Sequence, residues 1–270
     1  MTQPGRLIAS GHEADIHQWS PGEVIKLWRD PSATARADRE AAVLRVAASA
    51  GLPAPAVVDR VDVAGRPGLV LQHIAGVDLA AQVRRRPWRV RAAARVLARS
   101  HARIHQVIPP AWLPSLAELI VAKISRSPLV DEELRRRTIE ALAALDEGGE
   151  ASGRLCHGNL HLANIVMGRQ GPVLLDWADA ARGDPDSEVA LTLVRYRVAR
   201  SGGRKPLPAP VDAAGRHVLR RAYLRAYEEQ RSPDPHRLAT WQRVRAVERI
   251  TEGNPHEKRI LTAIARPETR

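Results

Sequence analysis

Phenylalanine is absent from the sequence, and six Trp and three Tyr are its only large aromatic residues. Leu, Val, Ile and Ala must therefore fill most of any core. Cysteine is nearly absent as well. Cys156 stands alone, so no internal disulfide can form, and a reducing cytoplasm fits. Long apolar runs are missing too. Leu116 to Val121 falls far short of the ~20 residues of a membrane span, so no membrane partner is expected. The opening stretch, MTQPGRLIAS, lacks the basic segment plus apolar segment of a signal peptide. What is present, 270 residues at 44% hydrophobic content, suffices for one large domain or two small lobes.

Lysine is scarce in a chain of formal charge +12, occurring only at 26, 123, 205 and 258. The charge comes from Arg, interspersed with Ala, Val and Leu at helical spacings, as in Arg89, Arg91, Arg95, Arg99 and Arg103. That pattern reads as solvated helix faces. Neither a zinc-finger spacing nor a glycine- and aromatic-rich RNA-binding strand accompanies it, so a nucleic-acid partner is disfavoured. A lysine inside an apolar strand of such a chain, as in Val24-Ile25-Lys26-Leu27, invites a specific explanation.

Along the chain, residues 1–74 read as mostly strand with one helix. Ala14 to Trp19 and Val24 to Trp28 flank the turn signal Ser20-Pro21-Gly22. Residues 34–50 carry a helical rhythm that stops at Gly51 before Pro53. Val57 to Val63 and Leu69 to Ile74 are two more strands, and Gly76 reads as a hinge. Beyond it the chain turns helical: 78–86, 88–107, 115–126, 131–147, 185–200, 213–230, 235–252 and 256–265. Short strand signals at Leu155 to His157, Ile165 to Met167 and Val173 to Leu175 interrupt the helices. Gly183-Asp184-Pro185 is a helix start, with Asp184 as cap. Ser201 to Pro210 is a loose connector. The expected fold is α+β, with a β-rich lobe over 1–75 and a larger helical lobe over 76–270. Ligands tend to bind in the crevice of such a pair.

The strongest signal is Cys156-His157-Gly158-Asn159-Leu160-His161-Leu162-Ala163-Asn164, followed by Val173-Leu174-Leu175-Asp176-Trp177-Ala178-Asp179. It resembles the aminoglycoside phosphotransferase family, small-molecule kinases related in fold to choline kinases and protein kinases. The family pattern is His-Gly-Asp-x-His-x-x-x-Asn, then an apolar strand ending in Asp. The stretch DWADAARGDPDSEVA from Asp176 to Ala190 also looks like the family. The resemblance implies a protein-kinase-like bilobal fold, ATP or GTP as co-substrate, Mg²⁺, and a small hydroxyl-bearing acceptor.

Several roles follow from that resemblance. Asn164 and Asp176 would be the metal ligands, both offering oxygen, which magnesium requires. Lys26 matches the strand lysine that contacts the α- and β-phosphates, and the alternation of Ile25 and Leu27 supports its facing the crevice. Glu40 is the best candidate for its carboxylate partner, although Glu13 and Glu23 also lie in the N-terminal lobe. Ser10 and Gly11, in Ser10-Gly11-His12-Glu13-Ala14, fall where a loop covers the triphosphate. Leu71 to Ile74, including Gln72 and Ile74, would read the nucleobase through the backbone.

One position departs from the family. The residue five before Asn164 should be an Asp that accepts the proton of the substrate hydroxyl; it is Asn159. A neutral amide cannot take that proton and can only orient the hydroxyl. Three readings stay open: a slow kinase, another base (Asp179 and His161 being nearest in sequence), or a nucleotide-binding pseudokinase or regulator. A basic nucleic-acid-binding protein is the more distant rival. His101 and His105, four apart on a helix, lack the rest of a zinc pattern and read as ordinary histidines. Cys156 and Trp177 read as core, and His157, Asp179 and Asp184 as residues that fix the loops.

Overall fold

The computed structural model of the protein describes residues 3–11, 13–146, 153–198 and 209–266. His12, the ends of the expected helices at 147 and at 199–200, and most of the 201–210 connector lie outside the described residues. The chain forms two compact units. One comprises Met1–Ala81 and Leu162–Ala180; the other comprises Gln82–His161 and Ala181–Arg270. The sequence suggests a division after residue 75 with the metal loops in the helical lobe. The structure instead groups 162–180 with the strand-rich unit, because that segment hydrogen-bonds as a sheet to residues 77 and 78.

The first unit is built on an antiparallel sheet of order β1-β2-β3-β5-β4. Its strands are β1 (Leu7–Ser10), β2 (Ala14–Gln18), β3 (Glu23–Trp28), β4 (Val57–Val63) and β5 (Arg66–Gln72), with helix α1 (Thr34–Ser49) between β3 and β4. The β2–β3 turn closes through Glu23 N–H to the Ser20 carbonyl, with Gly22 at φ +81°. The β4–β5 turn has both central residues, Ala64 and Gly65, at positive φ, the geometry that matches hairpin twist. Strand alternation sends Ile25 and Leu27 into a core with Val70, against which Trp19, Val61 and Val63 pack. Lys26 points to the opposite face.

A second sheet of the same unit joins β6 (Val77–Asp78), β8 (Ile165–Gly168) and β9 (Gly171–Leu174), all antiparallel. A Cβ at Gly76 would sit 2.5 Å from the Met167 carbonyl oxygen. Close approach of two backbones, rather than freedom to hinge, accounts for this glycine.

The other unit is helical, with α2 (Leu79–Arg85) leading into it. It holds α3 (Val90–Ile104), α4 (Leu116–Arg126), α5 (Glu132–Asp146), α6 (Pro185–Val198), α7 (Ala209–Glu228), α8 (Pro235–Ile250) and α9 (Pro255–Ala265). A short antiparallel pair, β7 (Arg154–Cys156) with β10 (Ala181–Gly183), lies among them. Asp184 accepts from Asp186 N–H at the start of α6 as expected, while its other oxygen takes bonds from Trp241 Nε1 and Arg237, both at 2.7 Å. Residues 185–194 of α6 are all buried, so this helix runs through the middle of its unit. Among the described residues, no helix is long and apolar enough to cross a membrane.

Candidate functional site

In the strand-rich unit, the site begins with Lys26. Its ammonium has three N–H donors and no acceptor. It reaches both carboxylate oxygens of Glu40, at 2.8 and 2.9 Å, and Oδ1 of Asp176 at 2.7 Å. Glu40 is the partner, not Glu13 or Glu23. Glu13 pairs with Arg36, and Glu23 accepts from Ser20 Oγ. Glu40 is only 1% exposed. Helical periodicity puts it on the α1 face that also buries Ala37, Ala41 and Leu44.

One ammonium faces two carboxylates. Burial alone pushes Lys26 down, yet the charges of Glu40 and then Asp176 outweigh it and hold Lys26 above the ordinary lysine value. Burial pushes the Glu40 carboxyl up, and Asp176 adds to that push against the pull of Lys26.

Asp176 follows β9 with φ +64°, in the left-handed region that a non-glycine residue enters at a cost of about 1–3 kcal/mol. Local bonds hold it there. Leu175 N–H donates to the Asn164 carbonyl at 2.8 Å, Leu174 N–H to the Pro53 carbonyl at 2.7 Å, and Trp177 Nε1 to the Leu174 carbonyl at 2.9 Å. Helix α1 secures the next residues. Arg36 pairs with Asp179 at 3.0 Å, and Arg39 donates to the Ala178 carbonyl. The Asp176 side chain is 42% exposed despite its bond to Lys26. Asn164 ends a three-residue 3₁₀ turn that begins at Leu162, and its backbone carbonyl accepts from Leu175 N–H. Asn164 and Asp176 each carry a side-chain oxygen, the donor atom that magnesium takes.

The other expected nucleotide contacts are differently disposed. Gly11 N–H donates to the Ala14 carbonyl at 2.9 Å, and Ser10 Oγ donates to Asp15 while accepting from Arg29. Gly11 is thus spent within the β1–β2 hairpin, and Ser10 on that hairpin and on Arg29, just past β3. Gln72 N–H donates to the Ala56 carbonyl and His73 N–H to the Gly22 carbonyl, and Ile74 lies beyond the end of β5.

In the helical unit, the loop after β7 is held from α6. Glu188, 1% exposed, accepts from His157 N–H at 2.8 Å, Gly158 N–H at 2.6 Å and His105 Nε2 at 3.1 Å. Burial would raise its pKa. The His105 bond and the neighbouring imidazoles hold it instead well below the usual carboxylate range. His105 Nδ1 in turn meets the Tyr227 hydroxyl at 2.8 Å, and His101 Nδ1 meets that of Tyr223 at 2.9 Å. Burial depresses His101 to about 3. His105, Cys156 and Glu188 also bring three potential metal donors together. Both Glu188 oxygens and both His105 nitrogens are already used in hydrogen bonds, so a hydrogen-bonded core explains them. Cys156 is fully buried, and burial raises its thiol well above its ordinary value.

Asn159 sits in this loop, with its backbone N–H 3.4 Å from His157 Nδ1. Its side-chain oxygen accepts from Arg195 on α6 at 2.5 Å. Glu188 and Arg195 are seven residues apart, two helical turns, and both address the 157–159 loop. Sequence reasoning assigned neither a role. The available signal was two charged residues at that spacing flanking the mostly apolar run from Val189 to Val194.

Comparison with known proteins agrees with the geometry. The model of the phosphotransferase enzyme family (APH) matches residues 5–246. A hydroxyurea phosphotransferase of Kitasatospora aureofaciens is 33% identical over 137 residues, which is 48% of this chain and 40% of that protein. The chain thus matches well under half the length of this relative. Two solved structures share the fold at low identity. A thermostable variant of aminoglycoside phosphotransferase APH(4)-Ia, in ternary complex with AMP-PNP and hygromycin B, aligns at TM-score 0.68 and 18% identity, covering 98% of this chain and 92% of the other. Aminoglycoside phosphotransferase APH(3'')-Id from Streptomyces rimosus, with ADP and streptomycin, aligns at TM-score 0.60 and 19% identity, covering 88% and 90%. A strand-rich unit with a lysine-centred carboxylate cluster, a helical unit bearing the His-Gly-Asn loop, and a family match over nearly the whole chain lead to one conclusion: the chain belongs to the phosphotransferase enzyme family and has its kinase-like fold.

Proposed function

We propose that the protein transfers the terminal phosphoryl group of a nucleoside triphosphate directly to a hydroxyl of a small molecule. The observation that carries this reading is the bond of Lys26 to both Glu40 and Asp176. Two donors of the ammonium anchor it to buried Glu40, and the third rests on the more exposed Asp176. With Asp176 turned to a metal, that third donor becomes available to the α- and β-phosphates. Asn164 and Asp176 would hold magnesium, which when bound neutralises phosphate charge. The acceptor would bind at Asn159. Phosphoryl transfer through a loose transition state asks mainly for positioning and charge neutralisation, so turnover without an aspartate base is chemically reasonable. The AMP-PNP and ADP of the similar structures favour ATP over GTP.

A second reading is a nucleotide-binding regulator without transfer activity. The engagement of Asn159 by Arg195 favours it, because no carboxylate occupies the base position. A magnesium-dependent screen for nucleoside diphosphate release, against pooled hydroxyl compounds, separates the two. Acceptor-dependent release that vanishes in Asp176→Ala supports transfer. Tight nucleotide binding without release from any pool supports the regulator. Absence of magnesium-dependent nucleotide binding sinks both.

A further inference from the structure

The position of the missing base holds more than an absence. Arg195 directs a guanidinium at the side chain of Asn159, 2.5 Å from its oxygen. A guanidinium has only donors, so the amide oxygen, not its NH₂, faces it. The one side-chain atom of Asn159 able to receive a hydrogen bond from an alcohol therefore already has one of its two lone pairs committed to a cation.

That cation is itself under-compensated. No carboxylate of the described residues pairs with Arg195. Burial disfavours its charge first and Arg249 of α8 next, while Tyr196, Glu252 and Glu257 relieve it only in part. The half-buried arginine would gain from an anion. Both groups at this position thus favour negative oxygen and disfavour removal of a proton by the protein.

We propose that Asn159 and Arg195 form an acceptor seat selective for a weakly acidic hydroxyl, of the N-hydroxyl or phenol type, over the alcohol of a sugar or amino alcohol. The inference rests on the phosphotransfer reading above and names its substrate class. A positive charge beside a hydroxyl favours its ionised form. An acidic hydroxyl loses its proton to water before attack, so no side chain has to accept it. The oxyanion lone pair then forms the new oxygen–phosphorus bond. The bond from the γ-phosphorus to the β–γ bridging oxygen breaks, and its electron pair leaves on the nucleoside diphosphate. An ordinary alcohol would reach the same point only by giving its proton to a base that is not there.

The test uses the full chain with magnesium and γ-labelled ATP. Acetohydroxamate and hydroxyurea serve as acidic acceptors, glycerol and ethanolamine as alcohols, with nucleotide affinity measured by calorimetry alongside. The acidic acceptors should be labelled about 100-fold faster, within the range ordinarily ascribed to general-base help. Arg195→Met should erase most of that advantage while nucleotide affinity stays within about two-fold, and Arg195→Lys should keep part of it. Asn159→Asp should reverse the preference, since a carboxylate repels an oxyanion and accepts a proton from an alcohol. If Arg195→Met does not fold, as judged by its thermal midpoint, Asn159→Asp decides alone. Equal rates for the two classes, faster alcohols, or an undiminished advantage in Arg195→Met would overturn the inference and leave the phosphotransfer reading standing. Tight nucleotide binding with no transfer to any acidic acceptor would also overturn it, in favour of the regulator. Failure to bind magnesium nucleotide would remove the phosphotransfer reading and the inference together.

Discussion

Glu40 and Glu188 are both buried glutamates, one in each unit, and their surroundings satisfy them by different means. Glu40 has a single ammonium, shared with Asp176. Glu188 has two backbone N–H groups and an imidazole. The consequence appears in their acidity. Burial, only partly offset by the shared cation, leaves Glu40 above its ordinary range, while the dedicated donors overcome burial and bring Glu188 far below it. The comparison separates a glutamate that shares its one cation with a more exposed carboxylate from a brace whose hydrogen-bonding capacity is filled internally. The first arrangement suits binding; the second suits holding a loop still.

The sharpest way to break this contrast is to remove Lys26. Lys26→Met leaves Glu40 buried beside Asp176 without a counter-charge, and should cost about 3–5 kcal/mol of stability. Adding Glu40→Leu should recover most of the loss, because the uncompensated charge is then gone. Denaturant titration of the single and double variants measures both; a single variant as stable as the parent would mean that Glu40 is not held by this pair.

Glu188→Ala should cost about 2–3 kcal/mol, by leaving the His157 and Gly158 N–H groups and His105 without their acceptor. Amide exchange of those two N–H groups should accelerate in the variant, a local readout that a general loss of stability would spread across the whole unit. Unchanged protection at 157 and 158 would refute the brace.

The pH dependence sharpens the comparison further. His101 is neutral in the folded chain down to about 3, whereas an unfolded histidine takes up a proton near 6.5. Below that value the unfolded state binds more protons, so stability should fall by up to about 1.4 kcal/mol per pH unit as pH drops from 6.5 toward 3. His101→Gln should flatten this limb. Glu188 acts lower: its contribution is present above the ordinary glutamate pKa and is lost as pH falls below it toward its depressed folded value. Thermal midpoints recorded across pH 3–7, with and without His101→Gln, are the check.

The smallest effect concerns Cys156. Its thiol is buried and kept protonated, so a thiol reagent should label it only as fast as the protein opens. Labelling of the folded protein at the rate of a free thiol would show that β7 is far more accessible than the structure indicates.

How much of this was legible beforehand varied by element. Helices α1 and α3–α9 carry periodic apolar faces or capping residues, and their expected ranges differ from the observed ones by a few residues at the ends. Strand β1 is exposed along its length, and β6 and β10 have two and three residues. None of these three displays the alternation by which strands are recognised. Lys26 stood out because lysine is rare here and its neighbours alternate. Arg195 did not stand out, because arginine is everywhere in this chain and nothing in composition distinguishes one that faces Asn159 from one that faces water. Glu188 lay within the very stretch that resembles the family, but a helix glutamate is read as solvated unless its burial is known.

The sequence by itself determined the family pattern, the alternation that turns Lys26 away from the core, and the amide at the base position, because these depend on residue identity and on spacing along one strand or loop. Only the tertiary structure decided which glutamate Lys26 takes, which helix braces the His157–Asn159 loop, and that an arginine meets the Asn159 oxygen. Those are choices among residues of like chemistry far apart in the chain, and packing selects among them by distance and burial, which no local pattern encodes.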